Sequence, residues 1–123
     1  MRDTLEYLMA VLIVEGLGAD GTISEDELDR IYDRVIPRIA RSLDFDTIAV
    51  RDAFEIYFHE DYHNIPDGEL DDLVQDAVDA MDKEFEVEEL REFISIIKSA
   101  TDFNLFSSAN KNYIDFLREE WEV

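Results

Sequence analysis

Two short stretches of this 123-residue chain combine residue types and spacings that could hold a metal ion. The first, GLGADGTISEDELDRI at residues 16–31, matches the second half of a calcium-binding EF-hand loop. Such a loop has oxygen ligands at its first, third and fifth positions, a glycine at its sixth and a bidentate glutamate at its twelfth. Asp20, Gly21 and Glu27 fill the fifth, sixth and twelfth positions, but the first and third are glycines without a side-chain oxygen. Only half of the ligand cage is therefore present.

Two interpretations of this loop stay open. In the first, Asp20, Glu27 and the Thr22 carbonyl bind Ca2+ or another divalent cation weakly, because water must supply the remaining ligands. In the second, Gly21 supplies a turn conformation, Ser24 caps the following helix and Glu27 completes a capping box. The second interpretation accounts for every residue of the motif without a metal ion.

The second stretch, FHEDYHNIPDGE, contains a zincin-like string. In zincins the two histidines of HExxH bind zinc from one helical turn, and the glutamate between them activates water. His59, Glu60 and His63 supply that pattern, and Glu69 stands at the spacing of a third ligand. Pro66, however, occupies the position where the extended pattern requires glycine.

Helical geometry predicts that these two histidines face solvent. His59 and His63 continue the polar line of Asp52 and Glu55, whereas Phe54 points to another side of the same helix. We therefore expect two surface histidines that could hold an adventitious transition-metal ion. A zinc hydrolase, the alternative, would require a buried HEDYH segment.

Composition excludes several classes of protein. The chain has 32 acidic and 11 basic residues, a net charge of −21, and no cysteine, so thiol catalysis, zinc–thiolate sites and disulfides are absent. Such a charge repels nucleic acid and anionic lipid and attracts divalent cations or basic proteins. No apolar run approaches the ~20 residues of a membrane span, and no cationic leader precedes the first helix, so we expect a cytoplasmic protein without membrane insertion.

The apolar residues recur at helical spacing and predict a single all-α domain over residues 1–123, with about six helices. The first helix has an apolar ridge at Leu5, Leu8 and Leu12 that continues to Glu15, and we expect Gly16 and Gly18 to end it. The second helix is expected to start at Ser24 and to break or kink at Pro37, and the third to run from Asp46 or Thr47 to the HNIPDG loop. The fourth helix should follow that loop and reach about Met81. The fifth should run from about Val87 to Lys98, and the sixth from Ser107 or Ser108 to Trp121.

The two ends of the chain have similar patterns. A shift of 82 positions places the apolar residues of the first helix on those of the fifth, and places Asp20 on Asp102. We therefore predict two helix–turn–helix hairpins that form a pseudo-repeat and pack together.

The segments GADGTISEDELDRIYDRV and SATDFNLFSSANKNYIDFL resemble the paired Ala-Asp-Gly…Glu motifs of the TerB-like, tellurite-resistance-associated helical domains. The resemblance implies divalent-metal binding at the acidic positions and a role in stress response or membrane-proximal complexes. Asp20 and Glu27 match the first motif. The second motif lacks its glycine and its glutamate, which leaves Asp102 and Asn104 as its candidate ligands.

Three functions are consistent with these patterns. The first is a non-enzymatic TerB-like domain that senses or buffers a divalent cation, or that serves as a scaffold for protein partners. The second is an acidic decoy that imitates nucleic acid and inhibits a basic protein, which requires carboxylates concentrated on one face. The third is the HExxH zinc hydrolase. A protein partner is expected for the first two functions, and for the decoy that partner is basic. Direct binding of nucleic acid is expected for none of the three.

Overall fold

The protein is an α-helical bundle. The computed structural model describes residues 4–18, 23–100 and 108–123, and every regular element within these ranges is a helix. The six helices are α1 (Leu5–Leu17), α2 (residues 25–43), α3 (residues 47–61), α4 (Asp67–Glu84), α5 (Val87–Ala100) and α6 (Ser108–Trp121). The predicted all-α, single-domain fold is therefore confirmed.

Helix α1 lies at the centre of the bundle. It contacts α3, α4, α5 and α6, and ten of its thirteen residues are buried. The expected apolar ridge is thus only part of its buried surface. A helix enclosed by neighbours on several sides is apolar nearly all round, so its sequence carries little amphipathic period. Glu15 is an acidic residue within this apolar helix, and it is half-buried.

The end of α1 differs from the prediction at one of its two glycines. The helix continues through Gly16 to Leu17, and Gly18 is the capping residue. A Cβ atom at Gly18 would lie 2.9 Å from the Val14 carbonyl oxygen, and one at Gly16 would lie 3.0 Å from the Tyr113 ring. Close approach of neighbouring atoms therefore favours glycine at both positions.

Helix α2 does not end at Pro37. Its α-helical start, Glu25–Arg30, passes into a π-helical segment, Ile31–Val35, and then into a second α-helical segment, Ile36–Leu43. The backbone N–H of Ile36 donates to the Ile31 carbonyl, five residues back. Proline has no backbone N–H to donate. We attribute the continuity of the helix past Pro37 to the π-helical segment just before it, where the hydrogen bonds span five residues.

The inward faces of α3 and α4 are apolar at helical spacing. Val50, Phe54 and Tyr57 of α3 are fully buried, and α4 buries Ala77, Val78 and Met81. Helix α3 starts at the predicted cap, where the Asp46 carboxylate accepts a hydrogen bond from the Ile48 backbone N–H at 2.9 Å.

The first and last helical hairpins pack together as predicted. Helix α1 contacts α5 and α6, and the π-helical part of α2 contacts α5. The buried Asn110 amide of α6 donates to the Gly16 carbonyl at 2.7 Å, and the Trp121 indole donates to the Val78 carbonyl at 2.9 Å. In the described ranges, none of the helices has the length and apolar content needed to cross a bilayer.

Candidate functional site

The first predicted metal site has one described ligand, Glu27, and that residue caps a helix. The Ser24 hydroxyl accepts a hydrogen bond from the Glu27 backbone N–H at 3.2 Å. The Glu27 carboxylate in turn accepts one from the Ser24 backbone N–H at 3.3 Å. The predicted capping box at the start of α2 is therefore confirmed. Asp20 and Thr22 lie outside the described residues, so the metal site remains a prediction.

The second predicted metal motif, Asp102 and Asn104, also lies outside the described residues. The two histidines of the zincin-like string are described, and both are solvent-exposed, as predicted. His59 belongs to the π-helical segment Ile56–Asp61, and His63 follows that segment in a turn. Within the ranges that the structure describes, no three histidine or carboxylate side chains are grouped so that they could hold a metal ion. The buried HEDYH segment that a zinc hydrolase would require is not present.

A different acidic residue, Glu15, lies in an unusual environment for a carboxyl group. Burial raises the pKa of the Glu15 carboxyl, the nearby negative charge of Asp71 raises it further, and the Tyr57 hydroxyl partly offsets both effects. Among the described residues, the Glu15 Oε1 atom and the Tyr57 hydroxyl oxygen are buried and lack a partner that satisfies hydrogen-bond geometry. Unpaired buried polar atoms are costly, and they are uncommon away from functional sites.

Several tyrosine side chains lie near this carboxyl. Tyr57 is fully buried, and its ring contacts the rings of Tyr7 and Tyr62 at centroid distances of 5.6 and 5.9 Å. Burial is also the main cause of the raised pKa of the Tyr57, Tyr62 and Tyr113 hydroxyls, and the charge of Glu15 raises all three further. These hydroxyls therefore stay protonated at neutral pH. That of Tyr113 donates to the Leu12 carbonyl at 3.0 Å, whereas those of Tyr57 and Tyr62 can act as hydrogen-bond donors beside Glu15.

Glu15 opens to solvent through a cleft between α1, α4 and α6. The cleft has a volume of about 370 Å³ and is lined by Glu15, Asp71, Val74, Gln75, Tyr113 and Phe116. Two carboxyl groups, one amide and two aromatic rings can together receive an organic cation, because the rings add cation–π attraction to the charge of the carboxylates. A bound cation would also favour the ionised form of Glu15.

Helix α4 extends the negative charge from this cleft along the surface. Its eight carboxylates are all exposed, and Lys83 is its only basic residue. These carboxylates belong to Asp67, Glu69, Asp71, Asp72, Asp76, Asp79, Asp82 and Glu84. None of them makes an ion pair within the described part of the chain, whereas Arg38 pairs with Glu92 at 3.1 Å on another surface.

The sequence patterns pointed only weakly to the Glu15 site. The available signal was an acidic residue that continues the apolar ridge of the first helix. The helical period cannot indicate that a tyrosine of α3 and an aspartate of α4 meet that residue, because this depends on how the helices pack.

Comparison with protein-family models, with curated proteins and with solved structures finds no match to this chain. The resemblance to TerB-like domains and the stress-related role that it implies therefore stay predictions. Any assignment of function to the chain depends on its own residues.

Proposed function

We propose that this protein is a non-enzymatic binding domain that uses the carboxylates of α4 to bind a positively charged surface of a protein partner. This is the second of the three functions that the sequence suggests. The observation that carries the proposal is the row of eight exposed carboxylates on one 18-residue helix, without an ion pair in the described part of the chain. Asp72, Asp76 and Asp79, at positions i, i+4 and i+7, share one side of the helix, and like charges on one side attract a complementary surface and speed its approach.

The Glu15 cleft supports the proposal because Asp71 belongs both to the α4 row and to the cleft wall. One lysine or arginine side chain of the partner would enter the cleft, where its charge meets Glu15 and Asp71. The rings of Tyr113 and Phe116 lie 6.3 Å apart between centroids and would contact the aliphatic part of that side chain. A charge held inside a cleft is screened by salt less than one on an open surface.

The test is binding of a labelled peptide of eight arginine and lysine residues, measured by fluorescence anisotropy. A triple variant, Asp72→Asn, Asp76→Asn and Asp79→Asn, removes three charges from α4. We expect it to bind the peptide at least tenfold more weakly than the parent, since each removed carboxylate faced the peptide.

A matched control removes the same number of charges from three other helices, through Asp52→Asn, Glu88→Gln and Glu120→Gln. These three residues are exposed, as are those of the α4 variant. The control should lose no more than about threefold in affinity, because only its net charge has changed. Equal losses in the two variants would mean that the α4 row is not a specific surface.

A weak divalent-cation site is the second candidate function. It is favoured by the position of the Glu27 carboxylate at the start of α2, shortly after Asp20 in the EF-hand-like sequence. Calcium added at high monovalent salt should then raise the melting temperature of the parent by mass action. Asp20→Asn and Glu27→Gln should each abolish that increase, because each removes a charged ligand. If the increase in melting temperature persists in both variants, Asp20 and Glu27 do not bind the cation, and helix capping is the remaining role of this motif.

A further inference from the structure

A cleft between α5 and α6 is lined by basic side chains, opposite in sign to the net charge of the molecule. Its volume is about 580 Å³, within the range of about 300–1,000 Å³ that is usual for small-molecule sites. It is lined by Arg91, Ile94, Ser95, Lys98, Ser99, Arg118 and Val123, and none of these side chains is acidic. The chain has 32 acidic and 11 basic residues, so a cleft lined by three basic and no acidic side chains differs from the average composition of the chain.

The hydrogen-bond donors of the cleft converge from two helices. Arg91, Ser95 and Lys98 follow one another at helical spacing on α5 and therefore lie along one side of that helix. Arg118 approaches from α6, which packs against α5. The buried side chain of Ile94 contributes an apolar wall between them.

Two of these cations lack the acidic partner that the composition would readily supply. The side chains of Arg91 and Arg118 make no ion pair or hydrogen bond with any residue in the described ranges, and the same is true of the Ser95 hydroxyl. Ser99, by contrast, already donates its hydroxyl to the Ile96 carbonyl at 2.8 Å. Guanidinium groups have a planar set of N–H donors that matches phosphate oxygens, and they bind phosphate in bidentate fashion.

We propose that this Arg91–Arg118 cleft binds a small molecule that carries a phosphate group. Arg91 and Arg118 clamp the phosphate from the two helices, and Ser95 donates its hydroxyl to a third oxygen. The net charge of −21 repels an extended anion, so the ligand of the cleft should be small. Within the cleft the nearby arginines dominate, because charges beyond about 8 Å are screened at physiological salt. A long polyanion such as RNA would extend past the cleft and meet the carboxylates outside it.

The proposal is independent of the α4 surface and is tested separately, with pyrophosphate and inorganic phosphate as probes. We expect calorimetric titration of the full chain with pyrophosphate to saturate at one molecule per chain. Saturable amide shifts should be confined to residues 91–99 and to the neighbourhood of Arg118. The double variant Arg91→Gln, Arg118→Gln should bind pyrophosphate at least tenfold more weakly, and each single variant at least threefold.

The control variant is Lys83→Gln, Lys111→Gln, which removes two positive charges at exposed positions outside the cleft. It should bind pyrophosphate within twofold of the parent. The proposal is overturned if the parent shows no saturable binding, or if the control loses as much affinity as the cleft variant. Binding of a short RNA more tightly than pyrophosphate would likewise overturn it. Melting curves of all variants establish that each is folded, and the single variants provide the test if the double variant is not.

Discussion

At the scale of single residues, Glu15 is a position where burial and charge oppose each other. Its carboxyl is half-buried in the central helix, and this burial, together with the negative charge of Asp71, raises its pKa above its ordinary value. A carboxyl whose pKa is higher in the folded than in the unfolded state stabilises the fold only while it is protonated. Its ionisation therefore costs stability as the pH rises through the folded-state pKa. A bound cation would reduce that cost, which fits the proposed role of the cleft.

Glu15→Gln should accordingly stabilise the free protein near neutral pH. The gain in the free energy of unfolding should be below about 1 kcal/mol, since part of the side chain still contacts solvent. Urea denaturation at several pH values measures it. The difference between the variant and the parent should be larger at pH 7.5 than at pH 5, where a larger fraction of Glu15 is protonated.

Glu120→Gln provides the control for Glu15→Gln, because it removes one negative charge from an exposed position. Its effect should be smaller at neutral pH and should depend less on pH. If Glu15→Gln instead destabilises the protein at pH 7.5, the Glu15 carboxylate makes favourable contacts that outweigh its burial.

At the scale of single helices, α2 depends on its capping box. It is interrupted by a π-helical segment, Ile31–Val35, and its first α-helical segment, Glu25–Arg30, has no buried residue. Leu28 of this segment packs against the core, and short helical segments with few tertiary contacts are marginal in water. The reciprocal hydrogen bonds of Ser24 and Glu27 therefore provide much of the stability at this end, whether or not a metal ion binds beside it.

Ser24→Ala should lower the free energy of unfolding by about 1 kcal/mol, the usual cost of losing a helix cap. Ser42→Ala, at an exposed position within α2, should be neutral or slightly stabilising, because alanine is the better helix former. Urea denaturation of both variants in a metal-free buffer measures the difference. Equal stabilities of the two variants would mean that the start of α2 is held by other contacts.

At the scale of the whole molecule, charge is unevenly distributed. The acidic row lies on α4, whereas the Arg91–Arg118 cleft lies between α5 and α6. The net charge of −21 nevertheless sets the long-range field, so the folded protein repels itself at low ionic strength. The two surfaces can therefore bind ligands of opposite charge, and salt should weaken both interactions while stabilising the fold.

The melting temperature should rise by several degrees between about 0.02 and 0.5 M NaCl, because the screening length falls from roughly 20 Å to about 4 Å. The Asp72→Asn, Asp76→Asn, Asp79→Asn variant should melt higher than the parent at low salt and respond less to added salt. Scanning calorimetry measures both effects. A melting temperature that falls with added salt would show that favourable ion pairs outweigh the self-repulsion.

Local sequence patterns indicated the helices and several of their ends, because capping and helical period act over a few residues. They placed the start of α3 at Asp46, the capping box at Ser24 and the exposed side of His59 correctly. The sequence predicted a break or kink at Pro37 and left the two open, since the change of hydrogen-bond spacing that lets α2 continue has no simple sequence signal. Net charge, too, was determined by the sequence alone.

Only the tertiary structure decided which side chains from different helices meet. The helical period shows that a residue faces inward, but it does not show which neighbour it will contact. Glu15 therefore became a site only when α3 brought Tyr57 and α4 brought Asp71 beside it. In the same way, Arg91 and Arg118 are 27 positions apart in the sequence and line one cleft because α6 packs against α5.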